Sequence, residues 1–177
     1  FHSYISLFQN QVSIHQFDID IDEGSLNGEF YLDFIPAQMQ MGILTRLSQF
    51  NLAKFLNIQE PNPEYLNGRV GLTVDLNKGI LNGRLDISEI TKKQLLLILK
   101  VMDPKYNNDR INQVRSALNF AYPHSLGMSF NNGYTNLDIL LKGKIETFIQ
   151  LRDLPISALL LSKTRTLRNQ IKEMPIQ

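Results

Sequence analysis

The 177-residue chain contains no cysteine and no tryptophan. Without cysteine it has no disulfide bond, no thiol nucleophile and no thiolate metal ligand. It also lacks any run close to the ~18 consecutive apolar residues that a membrane-spanning helix needs. The fold must therefore be held together without covalent cross-links, and any chemistry must come from other side chains.

The chain also has no large excess of positive or negative charge. Eighteen basic and 17 acidic residues leave a net charge of +1, which gives no electrostatic footprint for nucleic acid. Nucleic-acid binding is therefore set aside. Hydrophobic residues make up 43% of the chain and charged residues 20%, a composition typical of a globular protein. The length predicts one domain.

Apolar and polar residues alternate along the first half of the chain, as they do in strands with one buried face. In 17–22, apolar residues alternate with three aspartates; 23–27 predicts a turn, and the alternation resumes over 28–34. A second alternating pair spans 69–87, with Asn77-Lys78-Gly79 at its turn. The sequence therefore predicts two antiparallel hairpins.

Between these hairpins the pattern is less regular. Residues 44–58 favour a strand followed by a short helix around 52–56. Pro61 and Pro63 then predict a loop over 59–64.

The period changes to that of helices after residue 90. Thr91 can cap a helix over 92–102, which ends at Asp103-Pro104 because the residue before a proline disfavours helix. Asp109 can cap a second helix, which stops before Tyr122-Pro123.

A third hairpin and a tail complete the pattern. Alternating residues flank Asn132-Gly133, a strong two-residue turn. From Lys144 onward the tail is predicted to be helical, and Leu154-Pro155 opens its last helix. That helix has an apolar stripe and a basic face. A helix packed on the sheet is favoured over one lying on a membrane surface.

Together these elements predict an α+β fold. Antiparallel β-hairpins form a curled sheet with one apolar face, a β-groove, and two to four helices pack on it or at its end. The single domain is expected to be the C-terminal module of a longer protein. Its predicted divisions are 1–87 (mainly β), 88–123 (a helical pair), 124–143 (a β-hairpin) and 144–177 (a helical tail).

Candidate chemistry is sparse. Asp18, Asp20, Asp22 and Glu29 have much of the spacing of a calcium loop, but the sixth position is Glu23 where the loop needs glycine. A solvated acidic strand face is therefore the favoured interpretation. The three histidines are far apart, and no nucleophile motif or phosphate-binding glycine loop is present. The sequence predicts no catalytic residue, no metal site and no cofactor, and a protein that is not an enzyme.

Several short segments carry a resemblance to a known family. They are Leu81–Ile90, Leu99–Pro104, Asp109–Pro123, Asn132–Asp138 and Leu154–Leu160. In this order they resemble the C-terminal part of the AsmA-like bacterial envelope proteins, and most of all the YdbH-type branch, which also carries the label "dicarboxylate transport". Ser157-Ala158 departs from the Gly-Pro that the resemblance leads us to expect.

The resemblance implies a periplasmic protein of Gram-negative bacteria, anchored in the inner membrane by an N-terminal helix outside this chain. It also implies an elongated, curled sheet whose apolar concave face carries phospholipid towards the outer membrane. Phospholipid acyl chains are then the expected partner, and the sheet residues expected to line the lipid groove are Phe17, Ile19, Ile21, Phe30, Leu32, Phe34, Val70, Leu72 and Val74.

Two other functions stay open. An exposed sheet edge could dock an outer-membrane-side envelope protein by β-strand addition, which would make the chain a structural or assembly module. Small-anion (dicarboxylate) binding ranks third, because an anion site needs clustered basic side chains and Arg69, Arg84 and Arg110 are scattered along the sequence.

Overall fold

The structure is a computed structural model that describes residues 3–21, 24–56 and 58–155. These residues form one antiparallel sheet of nine strands, in which each strand pairs with the next along the chain. The predicted antiparallel sheet with a few short helices is confirmed, and the sheet is not closed, so β1 and β9 are its edges. The strands are β1 (Ser3–Phe8), β2 (Gln11–Ile21), β3 (Gly24–Asp33), β4 (Gln40–Asn51), β5 (Tyr65–Asp75), β6 (Ile80–Glu89), β7 (Tyr122–Asn131), β8 (Tyr134–Lys142) and β9 (Thr147–Pro155).

The turns of two predicted hairpins are confirmed, and their residue types explain their positions. Asn132 and Gly133 both have positive φ, 45° and 86°, the combination that a two-residue hairpin turn needs and that asparagine and glycine tolerate best. Gly79, with φ of 67°, closes the turn between β5 and β6. Its backbone N–H donates to the carbonyl of Asp75 at 2.7 Å.

In the described part of the chain, three helices lie between strands: α1 (Leu52–Phe55), α2 (Lys92–Met102) and α3 (Asp109–Ala117). Thr91 caps α2 as predicted, within a capping box that it shares with Gln94. The predicted cap of α3 is wrong by one residue. The side chain of Asn108 accepts from the backbone N–H of Ile111, while Asp109 lies in the first turn, where its charge suits the helix dipole.

The core lies between the sheet and helices α2 and α3. Leu95 and Leu99 of α2 are fully buried in one cluster with Leu126 of β7 and Leu137 of β8. Helix α2 contacts β7, and helix α3 contacts β9. We call the side of the sheet that carries these residues the helix-side face, and the other side the opposite face.

The prediction of a helical tail from residue 144 is wrong over Thr147–Pro155, which form β9. Ile149 and Leu151 alternate in this segment, and they pair with Ile139 and Leu137 of β8. The strand pairs with the backbone N–H and C=O groups along the free edge of β8 and buries Leu151 in the core. Pro155 is tolerated because it is the last residue of an edge strand. The predicted last helix lies, from residue 156 on, outside the described residues.

The first predicted hairpin also needs a correction. Residues 24–27 belong to β3 and not to a turn, because Asn27 pairs with Asp18 and donates its side-chain amide to that carboxylate. The alternation of apolar residues simply begins earlier, at Leu26, which pairs with Ile19. Strand β1 was not predicted from the sequence.

Candidate functional site

The strand register determines where the predicted groove residues lie. Ile43 of β4 pairs with Phe30 of β3 on one side and with Leu72 of β5 on the other. Directly paired residues point to the same side of a sheet. The register places seven of the nine predicted residues on the helix-side face: Phe17, Ile19, Phe30, Leu32, Val70, Leu72 and Val74.

Strand pairing does not assign a face to the side chains of the other two predicted groove residues, Ile21 and Phe34. Ile21 ends β2, and its backbone pairs with Gly24, but its side chain lies outside the described part of the structure. Phe34 follows the last residue of β3 and is 43% exposed. Its backbone N–H donates to the carbonyl of Asn10 at 2.7 Å.

Sequence reasoning missed further apolar residues on the helix-side face. The missed side chains lie in β1, in the early part of β2, and in β3, β4 and β6. Their alternation was readable from the sequence only where the strand itself was recognised. They are Ile5, Leu7, Val12, Ile14, Leu26, Met41, Ile43, Leu47 and Leu81.

Exposure of the helix-side face rises with distance from the helices. Leu126 and Ile139 are at most 1% exposed, Phe30 and Leu72 are half-buried, and Ile5 on the edge strand is 63% exposed. Val70 and Phe130 pack against the buried cluster and link it to the more exposed part. The buried core therefore continues into apolar side chains that helices α2 and α3 do not bury.

A cavity of about 160 Å³ lies at the boundary between the buried core and the more exposed apolar side chains of the helix-side face. Its walls are almost entirely apolar and come from α1, α2 and strands β4–β8. The aromatic rings of Phe50 and Phe55, 5.4 Å apart, form part of the wall on the α1 side. Leu85 and Phe130 contribute to it from the sheet.

The opposite face carries a separate concavity of about 840 Å³, lined in part by charged residues. Arg46 of β4 pairs directly with Arg69 of β5, and Arg69 pairs in turn with Asp86 of β6. Arg84 also lines this concavity. The sequence had suggested that Arg69, Arg84 and Arg110 are scattered, yet the fold brings Arg69 and Arg84 together with Arg46. Arg110 lies apart from them, on α3.

The carboxylates in this concavity are already paired. The Nε atom of Arg84 lies 2.7 and 2.8 Å from the two oxygens of Asp86, and Arg152 holds Asp138 at 2.6 Å. Among the described residues, Arg46 and Arg69 have neither an ion-pair partner nor a hydrogen-bond partner for their side chains. Two exposed positive charges are thus left side by side.

Titratable groups elsewhere form no larger constellation. Within the described residues, no group of three or more His, Asp or Glu side chains could hold a metal ion. The Oγ atom of Ser6 lies 2.7 Å from Nε2 of His15, both exposed between β1 and β2. His15 has no second partner in the described part of the chain to fix its tautomer, unlike the base of a hydrolytic triad.

Comparison with other proteins does not assign a family. None of the described helices is long and apolar enough to cross a membrane. No protein-family model, curated protein or solved structure matches the chain.

Proposed function

We propose that this chain is a non-enzymatic module that holds phospholipid acyl chains on the helix-side face. In this proposal it belongs to a periplasmic bacterial envelope protein that transfers phospholipid between the inner and outer membranes. The observation that carries the proposal is the register of β1–β5, which aligns apolar side chains on one side of the sheet beyond the part that the helices bury.

An apolar sheet face in water needs a cover, and the β1–β3 side chains on this face that the structure describes are half-buried or exposed, apart from Phe17. Each methylene group of an acyl chain that is removed from water contributes about 0.8 kcal/mol. A chain lying across Phe30, Ile43 and Leu72 would bury its own methylenes and these side chains together.

The cavity beside Phe50 and Phe55 supports the same proposal. Its volume of about 160 Å³ is close to that of an apolar cavity of about 150 Å³ that binds benzene. Leu85 and Phe130 line the cavity and are themselves only partly buried on the helix-side face. The end of an acyl chain could therefore enter the cavity from the exposed part of that face. Helices α1 and α2 would then close one end of a groove.

The placement in the bacterial envelope rests on the resemblance to the AsmA-like proteins, of the YdbH type. A curled groove and a parent protein anchored in the inner membrane belong to this proposal as well. Nine strands spaced about 4.8 Å apart extend roughly 40 Å. This length suits one end of a longer groove better than a complete bridge between two membranes.

The test is lipid occupancy of the purified chain. The double variant Phe30→Asp/Leu72→Asp places two charges on the helix-side face, where they must be desolvated if an acyl chain is to bind. We expect native mass spectrometry, followed by solvent extraction, to find phospholipid with the unsubstituted chain and little or none with the double variant.

Thr73→Asp is the matched control. Thr73 is adjacent to Leu72 on β5, is half-buried like it, and lies on the opposite face. The control should keep its lipid, which would separate the effect of the face from that of a charge on the strand. Equal lipid occupancy in a folded double variant and in Thr73→Asp would contradict the proposal.

A second candidate function is favoured by the edge strand β1. Its large apolar side chains are exposed on both sides of the sheet, and an unpaired strand edge can accept a further strand. In this alternative the chain is an assembly module that docks an envelope protein by strand addition. The exposed side chains are Tyr4 (74%), Ile5 (63%), Leu7 (78%) and Phe8 (69%).

A further inference from the structure

We infer that Arg46 and Arg69 form a binding site for a small divalent oxyanion of the phosphate type, on the opposite face of the sheet. This site is independent of the proposed lipid groove, because the two lie on different sides of the same strands. A single phospholipid molecule cannot occupy both.

The first observation is the pairing of like charges. Arg46 and Arg69 occupy directly opposed positions on β4 and β5, where two charges of the same sign destabilise a sheet. Neither side chain forms an ion pair among the described residues; Asp86, which stands opposite Arg69, is paired with Arg84. An anion that bridges the two guanidinium groups would remove the repulsion and gain charge-assisted hydrogen bonds.

The second observation is the charge balance of the concavity that contains them. Three arginines and two aspartates line it. Asp86 is bound by Arg84, and Asp138 is bound by Arg152. The acidic groups are therefore already paired, and the two remaining positive charges match an anion that carries two negative ones.

The third observation is a neutral hydrogen-bond donor at the same site. The side-chain Oδ1 of Asn67 accepts from the backbone N–H of Gln49 at 2.9 Å. This bond fixes the amide, and its Nδ2 donor has no partner among the described residues. Asn67 lines the same concavity as Arg46 and Arg69. A donor beside two guanidinium groups suits the several oxygens of a phosphate.

The surroundings favour a small ion over an extended polyanion. The opposite face of β2 and β3 carries Asp18, Asp20, Glu29 and Asp33. Asp18 of β2 pairs with Asn27 of β3, and Asn27 pairs with Arg46 of β4. Asp18 therefore lies two strands away from Arg46, in the same row across the sheet. A membrane surface or a nucleic acid laid across this face would meet all four carboxylates, whereas an ion seated at Arg46 and Arg69 would have only Glu29 of this group nearby, diagonally across from Arg46.

The test is the binding of inorganic phosphate, measured by calorimetry and by thermal unfolding at pH 7.5, against chloride at the same ionic strength. We expect phosphate to bind and to raise the melting temperature of the unsubstituted chain. Arg46→Gln and Arg69→Gln should each weaken binding about tenfold or more. Without phosphate, their melting temperatures should be equal to or higher than that of the unsubstituted chain, because the repulsion is gone.

Arg110→Gln is the control. It removes the same charge from an exposed position on α3, outside the concavity, and should leave phosphate binding unchanged. An equal effect of phosphate and chloride, or binding that survives both arginine substitutions, would overturn the inference. Arg46-dependent binding to phosphatidic acid vesicles without binding of free phosphate would also overturn it, since the patch would then recognise a membrane surface.

Discussion

At the scale of single residues, Asp103 and Arg115 hold together the helices that cover the sheet. Asp103 follows α2 and accepts hydrogen bonds from the backbone N–H groups of Asn107 and Asn108, at 3.0 and 3.2 Å. Arg115 of α3 donates to the Asp103 carboxylate at 3.1 Å and to the carbonyl of Leu99 at 2.9 Å. Both side chains are largely buried, so this network fixes how α3 packs beside α2.

The ionisation of Asp103 links this network to pH. Burial by itself raises the pKa of Asp103, but the N–H donors of Asn107 and Asn108 and the guanidinium of Arg115 outweigh it and hold the pKa below the usual 3.8. A carboxyl group whose pKa is lower in the folded state stabilises the fold above its unfolded pKa. That contribution is lost as the pH falls through the folded pKa.

We expect Asp103→Asn to lower the free energy of unfolding by about 1–3 kcal/mol at neutral pH, because it removes the charge that several donors surround. The difference from the unsubstituted chain should shrink as the pH falls below 3.8. Urea denaturation at pH 7 and at pH 3 measures both effects. The exposed Asp20→Asn is the control and should change stability by less than about 0.5 kcal/mol. A loss of stability for Asp103→Asn that is the same at both pH values would contradict the assigned role.

At the scale of elements, strand β9 is where local sequence and tertiary structure differ most. The region from Lys144 has helical character in sequence, yet Thr147–Pro155 pair with β8. In an isolated segment the periods of a helix and a strand compete. In the folded chain, the unpaired edge of β8 and the core beneath Leu151 decide in favour of the strand.

The strand assignment predicts unequal effects for two substitutions in β9. Leu151 is 3% exposed within the core cluster, whereas Phe148 lies on the opposite face and is 59% exposed. We expect Leu151→Ala to cost about 2–5 kcal/mol of stability, because it leaves a cavity. Phe148→Ala should cost clearly less. Chemical denaturation of both variants makes the comparison, and a larger loss for Phe148→Ala would rule out this register.

At the scale of the whole molecule, the open edges of the sheet matter most. A closed sheet has no free edge, but here β1 and β9 each lack a neighbour on one side among the described residues. Because β1 carries exposed apolar side chains, its edge is the more prone of the two to pair with a strand of another chain. The assembly alternative depends on the free backbone groups of this edge, whereas the lipid proposal depends on the helix-side face.

We expect Ile5→Lys/Leu7→Lys to weaken association through β1, because charged side chains on an edge strand oppose the docking of another strand. Strand addition between two copies of the purified chain is the association that sedimentation velocity over a range of concentrations would report, and the two lysines should reduce it. Phe148→Lys, on the other edge strand, is the control and should associate as the unsubstituted chain does. Association that Ile5→Lys/Leu7→Lys leaves unchanged would remove β1 from the assembly alternative.

Much of the fold could be predicted from local patterns. Turns such as Asn132-Gly133 and caps such as Thr91 depend on a few adjacent residues, so the sequence determines them directly. The alternation of apolar residues in β2, β3 and β5 likewise determines which side chains share a side of a strand. The register accordingly places seven of the predicted residues on one side of the sheet.

Only the tertiary structure decided which strand sides meet and how much of each is covered. The pairing of Arg46 with Arg69 follows from the register between β4 and β5, which no local pattern specifies. The burial of Leu126 and the exposure of Ile5 depend on where helices α2 and α3 lie relative to the sheet. The physical reason is the range of the interactions. A residue's periodicity is set by its own backbone, whereas its neighbours across the sheet and its cover come from residues far away in the chain.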